Sequence, residues 1–369
     1  MQLQSLLSIA LVGCAALTAA HPGHHEERDE ASLMQKRAYQ ANVKRGLEKC
    51  SEQLEARGVN KRADIRRRET VEKLRRNMMS KRLTVRDPET VLNKSHEVTD
   101  GSITVDSPES VIFSDNTTCV LNPEGETGPF YVLGEYVRSD VSEGQEGVPL
   151  TLDAQFLDVE TCEPITSLWF DLWNCNSTGV YSGVVSQGNG NADDTSNINA
   201  TFLRGIQETD DDGVVQFTTV FPGHYSGRTT HHHVVGHIGN VTKLSNNTIT
   251  GGTVAHIGQL FWDQDLIYEV EATAPYNTNT ITITTNADDH VFDDETEDTT
   301  SDPVINYIRV GDTVEDGIFG WITIAVNQSA TYDPNYSFAL TSTGGVAESG
   351  GDDSGSPGGS GSPGGSGPP

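Results

Sequence analysis

The stretch of sequence that decides the fold is Val214-Val-Gln-Phe-Thr-Thr-Val-Phe221, which continues as Pro222-Gly-His-Tyr-Ser-Gly-Arg-Thr-Thr-His-His-His-Val-Val-Gly-His237. β-Branched and aromatic residues fill its first part and a Pro-Gly pair ends that part, which is typical of a strand followed by a turn. The run from His231 onward predicts a second strand. Because successive side chains of a strand point to opposite faces, His231 and His233 should share one face and His232 the other.

Similar runs recur on both sides of this stretch, separated by clusters of Gly, Asn, Asp and Pro. They are Leu150–Leu157, Ser167–Trp173, Leu266–Ala272, Thr280–Thr285 and Trp321–Val326. Short alternating strands at this spacing predict a mostly β chain, with a β-sandwich domain over residues 101–342.

Two segments outside this domain differ from it in composition. Residues 21–100 are rich in Arg, Lys, Glu, Ala and Leu, which favours helix, and carry the dibasic pairs Lys36-Arg37, Lys61-Arg62 and Lys81-Arg82. We interpret this segment as a helical arm on the β domain, as a pro-segment removed by a processing protease, or as a solvated charged stretch, and we favour a retained arm. Residues 343–369 repeat Gly, Ser and Pro, which predicts a disordered low-complexity tail.

Charge is distributed unevenly along the 369 residues. The chain has 24 Lys and Arg against 53 Asp and Glu, a formal net charge of −29. Residues 1–100 hold 19 of the basic and 14 of the acidic residues, a net of +5, and residues 101–369 hold the other 5 and 39, a net of −34. This balance argues against nucleic acid as a partner, since phosphate binding needs clustered Lys and Arg.

The first twenty residues predict export. Leu6–Ala20 is an apolar run that ends in small residues, as a secretory signal peptide over residues 1–20 does, and it is too short for a membrane span. The sequence has no later apolar run long enough for a membrane span, so we do not expect a membrane as a partner. Eight Asn-x-Ser/Thr sequons support a secreted, extracellular glycoprotein. They begin at Asn93, Asn116, Asn176, Asn199, Asn240, Asn246, Asn327 and Asn335.

The cysteine content suits an oxidising compartment. Cys14 would leave with the signal peptide, so Cys50, Cys119, Cys162 and Cys175 remain. Four cysteines allow three connectivities, and sequence alone does not choose among them. We favour Cys162–Cys175 because these residues flank a predicted turn-and-strand unit.

The chemistry of the chain concentrates between Pro222 and His237. Two imidazoles on one strand face form a two-point site for a first-row transition metal. The alternative is that the three histidines are a surface feature. Two neighbours favour the metal: Tyr225 follows a Pro-Gly turn, and Arg228 is one of five basic residues in the acidic part of the chain.

A second strip lies upstream, where Phe170-Asp-Leu-Trp173 is followed by Gly179-Val-Tyr181-Ser. Together with the downstream Pro-Gly-x-Tyr and Arg-x-x-His-x-His, this pattern resembles the signature of the intradiol ring-cleavage dioxygenases, which open catechols between the two hydroxyls. The resemblance covers residues 119–330 and is greatest to the secreted fungal branch. That branch shares the stretches Pro123-Glu124, Gly128-Pro129-Phe130-Tyr131, Thr201–Gly205 and Gly258–Phe261.

This resemblance implies an Fe(III) cofactor and a set of roles. The iron ligands would be Tyr181, Tyr225, His231 and His233. Tyr225 would also take a substrate proton, and Arg228 would stabilise charge that develops on the ring, with Gln259 as a further catalytic candidate. Gly128, Pro129 and Tyr131 would bind the substrate, and a Cys162–Cys175 disulfide would suit the secreted branch.

The same resemblance implies O2 and a catechol-type aromatic as reactants and muconate-type dicarboxylates as products. Helical amino-terminal segments contribute to a dimer in this family, so a homodimer is allowed.

Two other functions stay open on the sequence: a non-catalytic carbohydrate-binding or adhesion β-sandwich, and a cupin-like metal oxidase, which also uses a His-x-His pair. The cupin pattern needs a Glu soon after that pair, and the next acidic residue here is Asp263.

Overall fold

The computed structural model describes residues 50, 53–82, 118–119, 127–186, 188–191, 193–296, 303–334, 336 and 338–347. The predicted signal peptide and the sequons at Asn93, Asn116 and Asn335 lie outside these residues. The β-strands are β1 Thr118–Cys119, β2 Val132–Leu133, β3 Pro149–Asp158, β4 Trp169–Trp173, β5 Arg204–Glu208, β6 Val214–Val220, β7 His231–Lys243, β8 Ile249–Phe261, β9 Asn306–Arg309, β10 Ile318–Val326, β11 Phe338–Thr341 and β12 Gly344–Ala347. The helices are α1 Val59–Arg82, α2 Gln264–Glu271 and α3 His290–Thr296.

Two of the sheets pack face to face. The first has the strand order β1-β10-β3-β6, with β9 also paired to β10, and the second has the order β5-β4-β7-β8. Inward side chains from both sheets share one apolar core, for example Leu152 and Phe156 of β3 with Phe170 of β4 and Val234 of β7. The mostly β sandwich that the alternating runs predict is confirmed. A third, smaller sheet has the order β12-β11-β2.

The amino-terminal arm packs on the outer face of the first sheet. On α1, Val71 joins an apolar cluster with Phe319 and Trp321 of β10. The carboxylate of Asp153, on β3, accepts hydrogen bonds from Arg66 at 3.0 Å and from Arg67 at 3.3 Å. Apolar packing and the ion pairs to Asp153 therefore hold the arm on the sheet. Whether the arm is retained after secretion stays a prediction.

Two runs predicted as strands are not strands. Leu266–Ala272 lies mostly within helix α2, because Leu266, Ile267 and Val270 fall on one helical face and are all buried. The run 280–285 is irregular, since the carbonyl of Ile281 accepts a hydrogen bond from His224 at 2.9 Å instead of from a neighbouring strand. The domain boundary at residue 342 is also too early, because β12 pairs with β11 through Ala347.

The predicted Cys162–Cys175 disulfide is wrong. Cys162 is bonded to Cys50, with 5.2 Å between the two Cα atoms. Strand β4 lies between Cys162 and Cys175, and at about 3.3 Å per residue it keeps these two too far apart to bridge. Cys175 is a buried thiol that donates to the carbonyl of Gly223 at 3.3 Å. The bond from Cys50 thus ties the amino-terminal arm covalently to the turn after β3.

Among the residues described above, no helix is both long and apolar enough to cross a membrane.

Candidate active site

Three separate parts of the chain bring two tyrosines and two histidines together. Tyr181 lies in the connection from β4 to β5, Tyr225 in the loop from β6 to β7, and His231 and His233 at the start of β7. All four side chains are at most 3% exposed. The end of β4 and the start of β7, the two inner strands of the second sheet, therefore bring these side chains into one buried cluster, as the sequence pattern predicts.

The polar ends of these four side chains converge on one point. The Nε2 atom of His231 lies 3.4 Å from the hydroxyl of Tyr181, 3.4 Å from the hydroxyl of Tyr225 and 3.0 Å from Nε2 of His233. The β period of two puts His231 and His233 on the same face, as expected.

The tautomer of His231 is set by its other ring nitrogen. Nδ1 lies 2.6 Å from the carbonyl of Thr229, which only accepts, so Nδ1 carries the proton and Nε2 presents a lone pair to the cluster. Two imidazole nitrogens and two phenol oxygens around one point are a donor set that suits a first-row transition-metal ion. The residues present fit such an ion.

Burial sets the protonation of the cluster. Loss of solvation lowers the pKa of His231 and His233 far below the usual value, so both imidazoles are neutral. Burial also raises the pKa of Tyr181 and Tyr225, while the positive charge of Arg228 acts in the opposite direction on both. A bound cation would add to that second effect and make tyrosinate available.

Tyr181 is held through its backbone by two asparagines. Asn189 accepts from the Tyr181 N–H at 2.7 Å and donates to the Tyr181 carbonyl at 2.9 Å, and Asn197 donates to the same carbonyl at 2.7 Å. Sequence reasoning missed both residues. They lie in a Gly- and Asn-rich loop, where asparagine is an ordinary turn residue.

Aromatic rings enclose the cluster. Phe130 packs against both phenol rings: its ring centroid lies 4.8 Å from that of Tyr181 and 5.6 Å from that of Tyr225. Trp173 stacks on His233 with 4.9 Å between ring centroids and 3° between planes, and Tyr131 packs against Trp173. Phe130, for which the sequence predicts no role, thus contacts the two tyrosines directly, and Tyr131 packs on the Trp173 ring beside His233.

Gly128 and Pro129 lie beside the cluster. Gly128 has φ +68°, and a Cβ there would lie 3.2 Å from Cε1 of His233. A glycine at this position therefore satisfies both the backbone conformation and the close approach to the imidazole. Pro129 is half-buried. The predicted substrate-binding role of Gly128, Pro129 and Tyr131 stays a prediction.

His232 and His224 point away from the cluster. His232 lies on the opposite face of β7, where Nδ1 is 3.2 Å from the side-chain oxygen of Asn174, and it is fully buried. His224 bridges Glu271 at 2.7 Å and the carbonyl of Ile281 at 2.9 Å. Since both partners accept, His224 donates from both ring nitrogens and fastens the turn before Tyr225 to helix α2.

Arg228 and Gln259, the two further catalytic candidates, are neighbours in the structure. Nη2 of Arg228 donates to the side-chain oxygen of Gln259 at 2.5 Å, and Gln259 is paired in register with His233 across β7 and β8. Nε of Arg228 donates to Asp289 at 2.8 Å. Asp289 was not foreseen, because it lies 61 residues downstream, between a 3-10 turn at Asn286–Asp288 and helix α3.

The described sequons differ in exposure. Asn199, Asn240 and Asn246 are exposed, whereas Asn176 and Asn327 are half-buried. Asn176 lies close to the cluster, in the loop that leads to Tyr181, and its amide nitrogen donates to Gln145 at 3.1 Å.

Comparison with known proteins gives a consistent set of relatives. Residues 128–243, which include all four cluster residues, match the family model described as "Dioxygenase". A solved intradiol ring-cleavage dioxygenase from Tetranychus urticae is 30% identical, with 58% of this chain and 98% of that chain covered and a TM-score of 0.48. Among curated proteins, none matches.

Two further solved structures are more distant. The dioxygenase domain of a dioxygenase and carbohydrate-binding protein fusion from Streptomyces sp. SirexAA-E is 22% identical, with 56% of this chain and 97% of that chain covered and a TM-score of 0.35. Catechol 1,2-dioxygenase from Pseudomonas arvilla C-1 is 16% identical, with 57% and 65% covered and a TM-score of 0.35.

Proposed function

The chain belongs to the family of intradiol ring-cleavage dioxygenases, and from that premise we propose that it is a secreted ferric enzyme that opens catechol-type rings with O2. The ring bond between the two hydroxyl-bearing carbons breaks and both oxygen atoms enter the product, a muconate-type dicarboxylate. One observation carries the proposal: the two phenol oxygens and Nε2 of His233 all lie within 3.0–3.4 Å of Nε2 of His231.

Tyr181, Tyr225, His231 and His233 are the residues that would hold the iron. Two tyrosinates favour the ferric state, because they offset most of its charge, and two neutral imidazoles complete the set. Iron bound by these residues would supply a site for a catechol and would activate the ring toward O2. The tyrosinate oxygen of Tyr225 is the protein group that we propose takes one catechol proton and so becomes a neutral phenol.

The surroundings of the four ligands fit an aromatic substrate. Phe130 and Trp173 add flat apolar surface beside the ligands, and Gly128 lets the backbone approach His233 closely. The positive charge of Arg228 acts on the pKa of all four ligands, which suits stabilisation of negative charge on the ring as the reaction proceeds.

The two alternative functions have less support. A carbohydrate-binding sandwich leaves the buried tyrosine and histidine cluster without a purpose. A cupin-like site needs a carboxylate with its His-x-His pair, and the described residues hold no group of three or more His, Cys, Asp or Glu placed to bind a metal.

The test is to measure bound iron and the fate of labelled O2. We expect the purified protein to hold one Fe(III) per chain, to be red-brown from tyrosinate-to-iron charge transfer, and to place two ¹⁸O atoms in the ring-opened product of a catechol panel. Tyr225→Phe should lose the activity. An aldehyde product, or none with any catechol by an iron-loaded protein, would refute the proposal.

Secretion is a separate part of the proposal and needs its own test. It rests on the predicted signal peptide and on sequons whose asparagines are exposed, Asn199, Asn240 and Asn246. Protein from the medium should begin after residue 20 and lose mass on enzymatic removal of N-glycans. Protein found only inside the cells, with no glycan, would contradict it.

A further inference from the structure

The carboxylate of Asp289 links Arg228 to the main chain on both sides. One oxygen accepts from Nε of Arg228 at 2.8 Å and from the N–H of Thr229 at 2.7 Å. The other accepts from Nη2 of Arg228 at 3.3 Å and from the N–H groups of Val291 and Phe292 at 2.9 Å each. Asp289 is 1% exposed, so these five contacts replace water entirely.

These contacts leave one guanidinium nitrogen of Arg228, Nη1, able to donate hydrogen bonds to another group. Nε binds Asp289, and Nη2 binds Asp289 and Gln259. Nη1 has no hydrogen-bond partner among the described residues. Because a guanidinium is planar and rigid, fixing Nε and Nη2 also fixes the direction in which Nη1 donates.

Contacts and register place the Arg228 side chain beside the candidate active site, since Nη2 binds Gln259. Gln259 pairs in register with His233, and Arg228 lies three residues before His231. Resting on the proposed function, we propose that Asp289 is a positioning residue that holds Arg228 so that Nη1 donates to the bound catechol. Asp289 itself does not touch the substrate.

Asp289→Asn tests this with little change of shape. Asparagine keeps a side-chain oxygen for the N–H groups of Val291 and Phe292, and Asn and Asp are equally good helix caps. It loses the charge and one acceptor toward Arg228. We expect kcat per bound iron to fall about 10–100-fold, the range for losing an outer partner of an active-site group, while the iron content and the visible band of the folded protein stay close to wild type. The melting temperature should fall, because Arg228 loses its buried counter-charge.

A matched control exists on the far side of the fold. Asp158 is also buried, its one oxygen accepts from the N–H groups of Glu160 and Thr161, and its other accepts from Gln328 at 2.8 Å. Asp158→Asn removes a carboxylate of the same kind away from the cluster, so its kcat per iron should match wild type.

A double variant separates positioning from a general structural role. If Asp289 acts through Arg228, then Arg228→Lys/Asp289→Asn should be about as slow as Arg228→Lys alone. The inference would be overturned if the fold-losses in kcat of the two single variants multiplied in the double variant. It would also be overturned if the loss of activity in Asp289→Asn were proportional to a loss of bound iron. If Asp289→Asn does not fold, Asp289→Glu keeps the charge but displaces it, and we expect it to lower kcat with normal iron.

The failures of the two proposals look different. An active wild type with an unchanged Asp289→Asn variant overturns the positioning role alone. A wild type that holds iron and cleaves no catechol overturns the proposed function, and the positioning role with it.

Discussion

Asp153→Ala should loosen the amino-terminal arm. The Asp153 side chain is 0% exposed and pairs with Arg67, whose side chain is 1% exposed, and with Arg66, which is 21% exposed. Removing one partner of a buried ion pair costs about 3–5 kcal/mol, because the other charge stays buried. The more exposed Arg66 adds little. Since 1.4 kcal/mol is a factor of ten, opening of α1 from the sheet should become about 10²–10⁴ times more frequent.

Limited trypsin digestion measures this opening. Lys61 and Arg62 lie on α1, and cleavage there needs the helix to detach and unwind. The fragments should be followed by mass spectrometry under native conditions. Asp212→Asn is the control, because it removes an ion pair to Arg62 that is largely exposed, with side chains 47% and 32% accessible, and should change the rate only a few-fold. If Asp153→Ala is cut no faster than Asp212→Asn, the buried pair does not hold the arm.

Three further outcomes are expected. His232→Ala should keep iron but lose about 2–5 kcal/mol of stability, since it empties a buried site, whereas His233→Ala should lose iron; the reverse result in metal analysis would show that the register is wrong. Arg228→Lys should keep the colour and lose about 10²-fold in kcat, because one ammonium cannot replace three guanidinium nitrogens, and unchanged steady-state turnover would remove Arg228 from the catalytic residues. Burial would raise the pKa of Asp158, but hydrogen bonds from Gln328, Thr161 and Glu160 outweigh it and hold the pKa below its usual value. Such a group stabilises the fold above its unfolded pKa, so the melting-temperature gap between wild type and Asp158→Asn should be largest near neutral pH and close as the pH falls through the folded pKa; a gap that stays constant would contradict this.

The strands of the sandwich were predictable where apolar and polar side chains alternate in the sequence. On β3, Leu152 and Phe156 face the core while Asp153 faces the arm. The sequence of β3 shows this alternation of apolar and polar residues directly. Helix α2 was not predictable in this way. Its short run of Leu, Ile, Tyr and Val suits either a strand or a helix, and only packing against the core decides.

The residues of the candidate site also differ in how far the sequence predicts them. His231, His233 and Arg228 lie within six residues of one another, so local spacing alone groups them. Asp289 and Asn189 reach the site from loops whose position depends on the whole fold. A lone carboxylate or amide in a turn carries no signal of such a role, and the choice of Cys50 as the partner of Cys162 is equally non-local.

The Cys50–Cys162 bond changes what proteolysis can remove. It closes a loop with a sequence separation of 112 residues, and the dibasic pairs Lys61-Arg62 and Lys81-Arg82 both lie inside that loop, whereas Lys36-Arg37 lies before it. A cut at either inner pair would give a two-chain protein of undiminished mass, with the excised piece still attached through sulfur. Such a protein would show two amino termini on sequencing and separate on a gel only after reduction. Only the cut after Arg37 would shed a peptide outright.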